Sequence, residues 1–126
     1  MTSLAIVLPC FNEEDVLHET ARRLLSLLKP MMQSGELENS SRILFVDDGS
    51  SDNTWNKILA LSNAEKHISG IKLASNVGHQ NALFAGLMSS SGDVIISLDV
   101  DLQDDIEVIK EYYNYFEKKY PHVDLK

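Results

Sequence analysis

Short apolar runs alternate with longer amphipathic stretches along the first hundred residues of the chain. The runs are rich in β-branched residues, as strands buried on both faces of a sheet tend to be. They are LAIVL (4–8), ILFV (43–46), IKLA (71–74) and VIISL (94–98). The alternation predicts an α/β fold, a mainly parallel sheet with helices on both faces and right-handed crossovers.

The segments between these strands carry apolar residues at helical spacing. The expected helices are 13–29, a segment directly after SSDNT (50–54), 78–88 and an aromatic-rich segment over 104–119. Asn12 is a suitable N-terminal cap for the first helix, and Pro30 is expected to end it. The polar stretch 30–42 is expected to be a solvated connection.

Size and charge exclude several classes of protein. With 126 residues, 44% of them apolar, the chain fits one domain with a packed core. The net charge is −8 and the Lys and Arg residues are scattered, which disfavours a nucleic-acid backbone as the main partner. No run of 18 apolar residues is present, which predicts no membrane span in this chain. The lone Cys10 excludes an internal disulfide, fits a reducing, cytoplasmic compartment and is expected to serve packing.

Polar residues follow every predicted strand, at the end where parallel sheets bind their ligands. The four polar segments are PCFNEED (9–15), DDGSSDNT (47–54), SNVGHQN (75–81) and DVDLQDD (99–105). Taken singly, each has an ordinary structural explanation as a helix cap or a turn. All four at one edge of one sheet favour a binding site.

The last of these segments raises an electrostatic question, because its aspartates repel one another. Asp99 and Asp101 are two residues apart, so in strand geometry their carboxylates point the same way, roughly 7 Å apart along the strand. Such a pair can share Mg²⁺ or Mn²⁺, which prefer oxygen ligands. A calcium-binding EF-hand loop is excluded, since Asp104 and Lys110 stand where Gly and Glu are required.

Two other acidic-site classes compete with this interpretation. A receiver domain would use ILFVDDGS and SLDVDLQDD as its acidic pair and phospho-accepting strand, but it leaves the first forty residues without a role. A haloacid-dehalogenase-type phosphatase carries Thr or Val where Gln103 stands, and its motif lies on the first strand. A receiver-like regulator or a non-catalytic nucleotide-binding module therefore remains the alternative to an enzyme.

The ordered motifs LPCFNEE, ILFVDDGSSDNT, LASNVGHQNALFAGL and GDVIISLDVDLQDD together resemble the N-terminal half of a glycosyltransferase family 2 catalytic domain of the GT-A fold. They are most similar to the branch that transfers sugars to polyprenyl phosphates, as dolichyl-phosphate mannosyltransferases and bactoprenol glucosyltransferases do. The resemblance implies that 1–126 is the nucleotide-sugar-binding part of a catalytic domain truncated at its C-terminus. It also implies a metal-dependent inverting hexosyltransferase whose isolated fragment binds donor but is a poor catalyst.

The resemblance also implies roles for individual residues. Gln80 and Gly86 fall near the donor, and Gln103 stands beside the metal pair Asp99 and Asp101 as a further catalytic residue. Phe11 occupies a place that is often Tyr, which leaves ring packing without a phenolic hydrogen bond. The residues implied to bind the donor nucleotide are Pro9, Phe11, Glu13, Asp47, Asp48, Asn76 and Gly78.

The implied substrates are consistent with the acidic cluster. The donor is a nucleoside diphosphate sugar linked to UDP or GDP, and Mg²⁺ or Mn²⁺ stabilises the departing diphosphate. A polyprenyl phosphate acceptor is already an anion and needs no strong base. We therefore expect the enzyme to act at the cytoplasmic face of a membrane, as part of a parent protein that is associated with that membrane.

Overall fold

The computed structural model describes residues 2–101, 109–111 and 113–114. Within them, strands and helices alternate and every strand pairing is parallel, which confirms the predicted α/β class. The elements are β1 (Leu4–Cys10), α1 (Leu17–Gln33), β2 (Arg42–Asp47), α2 (Thr54–Ala64), β3 (Ile68–Lys72), α3 (His79–Ser89) and β4 (Val94–Ser97).

The strand order in the described sheet is β3-β2-β1-β4. The chain moves outward from β1 to β3 and then returns to place β4 on the other side of β1. Open parallel sheets bind ligands at such a reversal, outside the carboxyl ends of the strands. A receiver-type sheet runs in the order 2-1-3-4-5, so the observed order contradicts the receiver hypothesis.

The central strand β1 is buried at each of its seven residues, because helices cover both faces of the sheet around it. On one face, Ile6 and Leu8 pack in one core together with Leu24 of α1. On the other face, Val7 packs in a second cluster with Ala82 of α3. The continuous apolar sequence of β1 is therefore the consequence of two cores.

Helix α3 lies unusually close to the sheet at Gly86. A Cβ atom added there would stand 2.5 Å from Cγ1 of Val7 and 2.9 Å from Cγ2 of Val46. Any side chain larger than hydrogen would thus force either α3 or these two valine side chains to shift. In the structure Gly86 is the residue of α3 that packs against the sheet, and its proximity to the donor, implied by the resemblance to family 2 enzymes, stays a prediction.

Helix α1 differs from its prediction at both ends. It begins at Leu17 instead of Glu13, and the preceding residue, Val16, makes no capping side-chain bond, so Asn12 is not the cap. It continues through Pro30 to Gln33. The helix survives the missing proline N–H because Met31 and Met32 are buried in the core beyond it.

Strand β3 covers 68–72, whereas the pattern predicted 71–74. The reason is Gly70, which interrupts the apolar run in sequence but suits the packing of α2. A Cβ at Gly70 would lie 2.5 Å from Cγ2 of Ile58 and 3.1 Å from Cζ3 of Trp55. Only the tertiary contact with α2 makes glycine acceptable in this strand.

The predicted solvated connection over 30–42 is partly wrong. Leu37 is 1% exposed, and its backbone forms a bridge with Thr2. The N–H of Glu38 donates to the carbonyl of Thr2 at 2.9 Å, so this segment is docked onto the start of the chain. The predicted helix over 104–119 lies mostly outside the described residues, of which 109–111 and 113–114 are helical.

Among the helices of the described residues, none has the length and apolarity needed to cross a membrane.

We expect Gly86→Ala to destabilise the chain, because overpacking of a core costs about 1–3 kcal/mol while the gain in helix propensity is at most about 1 kcal/mol. The net loss should be about 1 kcal/mol in the free energy of unfolding, measured by urea denaturation. Gly92→Ala is the matched control, since a Cβ there meets its nearest atoms at 3.5 Å. Equal stability of the two variants would contradict the close packing of α3.

Candidate functional site

A cleft of about 280 Å³ opens at the carboxyl ends of β1 and β4, at the reversal in strand order. Loops following all four strands contribute to it, as the sequence predicted. Its lining residues are Pro9, Cys10, Phe11, Glu13, Asp48, Asn76, Gly78, His79, Asp99, Val100 and Asp101. Of the predicted site residues, Asp47, Gln80 and Gly86 are absent from this lining, and Gln103 lies outside the described residues.

The segment after β4 brings both aspartates to the cleft. Asp99 and Asp101 are exposed, while Val100 between them is 4% exposed. The Thr20 hydroxyl of α1 donates a hydrogen bond to the Val100 carbonyl, which anchors the segment beneath the aspartates. The strand itself ends at Ser97, yet alternation continues because Val100 is packed into the core.

Asn12 connects the loop after β1 to the loop after β2. Its φ of 52° is in the left-handed region, which asparagine tolerates better than most residues. Its side-chain oxygen accepts the N–H of Ser51 at 2.9 Å, and its own N–H donates to Oγ of Ser50 at 2.9 Å. The residue predicted to cap α1 thus ties two cleft loops together.

Glu13 adds a third carboxylate beside the aspartate pair. Its backbone N–H donates to Oγ1 of Thr54 at 2.9 Å, which attaches it to the start of α2. Partial burial raises the pKa of the Glu13 carboxyl, and the negative charges of Asp101 and Asp52 raise it further. The cleft therefore disfavours the accumulation of negative charge on its own carboxylates.

The two aspartates at the end of β2 are buried and hydrogen-bonded to backbone. Asp48 accepts the N–H of Val77 at 2.8 Å through Oδ1 and that of Gly78 at 3.1 Å through Oδ2. Asp47 accepts the N–H of Ser50 at 3.1 Å within its own turn. In the described residues, these carboxylates hold loops, and their contact with a nucleotide stays a prediction.

Gly49 brings the loops after β2 and β3 into backbone contact. Its φ is +71°, and a Cβ atom there would stand 2.4 Å from the amide nitrogen of Asn76 and 2.5 Å from the carbonyl carbon of Ser75. A side chain would therefore be strained both by φ and by collision. We call Asp48, Gly49 and the segment 75–78 the loop clamp.

Three lining residues are not among the predicted site residues: Cys10, His79 and Val100. The Cys10 thiol donates to the carbonyl of Leu8 at 3.3 Å and burial raises its pKa, so its assignment to packing is confirmed. Val100 is the buried spacer between the aspartates. His79 could have been found from the sequence, because it directly follows Gly78 in a motif already assigned to the site.

The charge of the cleft is one-sided. Glu13, Asp48, Asp99 and Asp101 line it, and the described lining includes no Lys or Arg. Oxygen donors of this kind suit a hard divalent cation. No group of three or more potential metal-binding side chains is found among the described residues. The aspartate pair thus fits a metal that takes its other ligands from a bound molecule or water.

Comparison with known proteins agrees with this geometry. Residues 5–125 match the sequence profile of Glycosyl transferase family 2, and the chain belongs to that family. It is 49% identical over 111 residues to the uncharacterized glycosyltransferase YkoT of Bacillus subtilis (strain 168), covering 86% of this chain and 33% of that protein. It is 42% identical over 109 residues to the bactoprenol glucosyl transferase of Shigella phage SfV, covering 84% and 33%. The chain spans about a third of the length of these relatives.

Solved structures show the same GT-A fold. The mannosyltransferase PcManGT from Pyrobaculum calidifontis, in complex with GDP-Man and Mn²⁺, superposes with a TM-score of 0.62 at 17% identity, covering 79% of this chain and 28% of that one. S. aureus TarS 1–349 in complex with UDP-GlcNAc gives 0.63 at 19% identity, covering 94% and 32%. The described sheet and helices therefore correspond to a part of a larger fold.

We expect Asp48→Asn to loosen the loop clamp, because an amide group can replace only one of the two acceptors and its NH₂ would face a backbone N–H. Leaving a buried donor unpaired costs about 1–3 kcal/mol. Hydrogen exchange measured by NMR should become faster at the amides of Val77 and Gly78. Asp15→Asn removes the same charge at an exposed position outside the cleft and should change neither amide. Unchanged protection in Asp48→Asn would contradict the clamp.

Proposed function

We propose that this chain is the nucleotide-sugar-binding part of a metal-dependent, inverting glycosyltransferase. The observation that carries the proposal is the position of Asp99 and Asp101 in an acidic cleft at the strand-order reversal. Membership of family 2 supplies the reaction class. Because the chain is shorter than its relatives, the activity of the whole protein is also part of this proposal.

The donor we propose is a sugar linked to UDP or GDP. Both nucleotides occur in the related folds, GDP-Man in PcManGT and UDP-GlcNAc in TarS. Pro9, Phe11 and Glu13 would contact the nucleotide from the loop after β1. Asp47, Asp48, Asn76 and Gly78 would complete its site, the first two chiefly by holding the loops that surround it.

Mg²⁺ or Mn²⁺ would be held by Asp101 and Asp99, with Gln103 as their catalytic neighbour. When bound, it would supply positive charge where negative charge develops on the departing diphosphate. The protein's own contribution is to place both aspartates in the lining of the cleft while Val100 between them is buried. In the absence of a cation their mutual repulsion opposes that arrangement.

A direct displacement at the anomeric carbon would invert its configuration and needs no covalent enzyme intermediate. The acceptor we propose is a polyprenyl phosphate, supported by the similarity to bactoprenol glucosyl transferases. Its phosphate is already an anion and attacks without strong base assistance. Such an acceptor would place the parent protein at the cytoplasmic face of a membrane.

The metal requirement is testable by calorimetry. UDP and GDP should bind the 126-residue chain more tightly with Mg²⁺ or Mn²⁺ than with EDTA. Because Asp101 is proposed as a direct ligand, Asp101→Asn should lose at least about 10- to 100-fold in metal affinity, a range known for outer-shell partners alone. Nucleotide affinity in this variant should become independent of metal.

Asp15→Asn serves again as the control, since it removes one exposed carboxylate outside the cleft. It should retain the metal dependence of the unchanged chain. Equal nucleotide affinity with and without metal in the unchanged chain would refute the metal-dependent mechanism.

A second candidate is a nucleotide-binding module without catalytic activity. It requires only the cleft and the loop clamp, which the described residues provide. Incubation with UDP- and GDP-sugars, Mn²⁺ and a short prenyl phosphate separates the two candidates. Sugar transfer that is lost in Asp101→Asn would establish the enzyme, whereas metal-dependent binding without any transfer would favour the module.

A further inference from the structure

The negative charge of the cleft repels the nucleoside diphosphate that is proposed to bind there. Its described lining carries four carboxylates and no Lys or Arg, whereas a nucleoside diphosphate brings further negative charge. A divalent cation bound by Asp99 and Asp101 would offset part of this repulsion. Phosphate oxygens away from the metal still require N–H donors.

His79 is well placed to be such a donor. It lines the cleft, its side chain is exposed, and no described residue forms a hydrogen bond or an ion pair with its ring. Asn76 also lines the cleft; its side-chain oxygen accepts the N–H of Gly78 at 3.1 Å, which turns its NH₂ group into a second N–H donor of the cleft. An imidazole carries at least one N–H in either protonation state, so donation does not depend on its charge.

The backbone around His79 also contributes positive charge to this part of the cleft. His79 is the first residue of α3, an eleven-residue helix, and no side chain of the described residues caps the start of that helix. The preceding Gly78 has a φ of +94°, a conformation that glycine adopts without strain. The positive end of the α3 dipole therefore lies beside the imidazole, where the Asp48 carboxylate already accepts the N–H of Gly78 at 3.1 Å.

The loop clamp determines where His79 lies. Asp48 holds the amides of Val77 and Gly78, and Gly49 contacts the segment just before them. On the other side, Nδ2 of Asn81 donates to the carbonyl of Val77 at 2.8 Å. Val77, two positions before His79, is thus hydrogen-bonded both to the loop after β2 and to α3, which fixes the backbone that carries the imidazole.

We propose that His79 binds a phosphate oxygen of the ligand in this cleft through an N–H of its imidazole ring. The inference rests on the proposed function for the identity of the ligand. The phosphate belongs either to the nucleoside diphosphate of the donor or to the phosphate of a prenyl acceptor. In either case, a phosphate oxygen would accept a hydrogen bond from the imidazole N–H.

Calorimetry on the 126-residue chain tests the inference with UDP and GDP in Mg²⁺, and with uridine and guanosine as phosphate-free probes. His79→Ala should weaken nucleoside diphosphate binding about tenfold, as expected for a lost hydrogen bond to a charged group. Nucleoside binding should stay unchanged. His79→Gln keeps an N–H donor and should recover part of the loss.

His18→Ala is the matched control, because His18 is exposed on α1 and does not line the cleft. Citronellyl phosphate, titrated in the presence of saturating nucleotide and Mg²⁺, distinguishes the two sources of phosphate. A loss confined to citronellyl phosphate assigns His79 to the acceptor, and a loss confined to UDP or GDP assigns it to the donor.

The outcomes separate this inference from the proposed function. If UDP or GDP binds the unchanged chain and His79→Ala weakens neither nucleotide nor citronellyl phosphate, the His79 inference is overturned and the function stands. If neither nucleotide binds, the proposed function fails, and inorganic pyrophosphate with Mg²⁺ then decides the inference. Pyrophosphate binding lost in His79→Ala supports it, while unchanged or absent binding overturns it.

Discussion

The burial of β1 on both faces is the constraint on which the rest of the structure depends. All seven of its residues are buried, and it pairs with β2 on one side and β4 on the other. Polar side chains have no place along such a strand, so they can appear only where it ends. Because the neighbouring strands are parallel to β1, their ends reach the same edge. The acidic cleft follows from this geometry.

Crowded carboxylates at that edge are of two kinds, and the structure separates them by their burial. Asp47 and Asp48 are buried and accept backbone N–H groups, which compensate their charge within the protein. Asp99 and Asp101 are exposed toward the cleft, with Val100 anchored between them. The first pair builds the site, and the second faces the space where a ligand would bind. This division is why the cleft is both well held and rich in negative charge.

Much of the site is predictable because its signals are local. Asp99 and Asp101 alternate around an apolar residue, and polar segments follow each strand, so their meeting at one edge requires only the assumption of a parallel sheet. The positions of Pro9, Phe11, Glu13, Asn76 and Gly78 in the cleft agree with the motifs. Sequence reasoning misses His79, since its residue type has many ordinary uses at a helix start. It misplaces Asn12 as a helix cap because the true partners, Ser50 and Ser51, are distant in sequence.

The sequence alone determined the fold class, the family resemblance and the edge of the sheet at which the chemistry lies, because periodicity and short motifs are properties of neighbouring residues. The tertiary structure decided the strand order that excludes a receiver domain, the glycine at position 70 inside β3, and the passage of α1 through Pro30. It also decided that Asp48 and Gly49 hold the loop preceding His79. Each of these depends on contacts between segments far apart in the chain, and such contacts leave no periodic trace in the sequence.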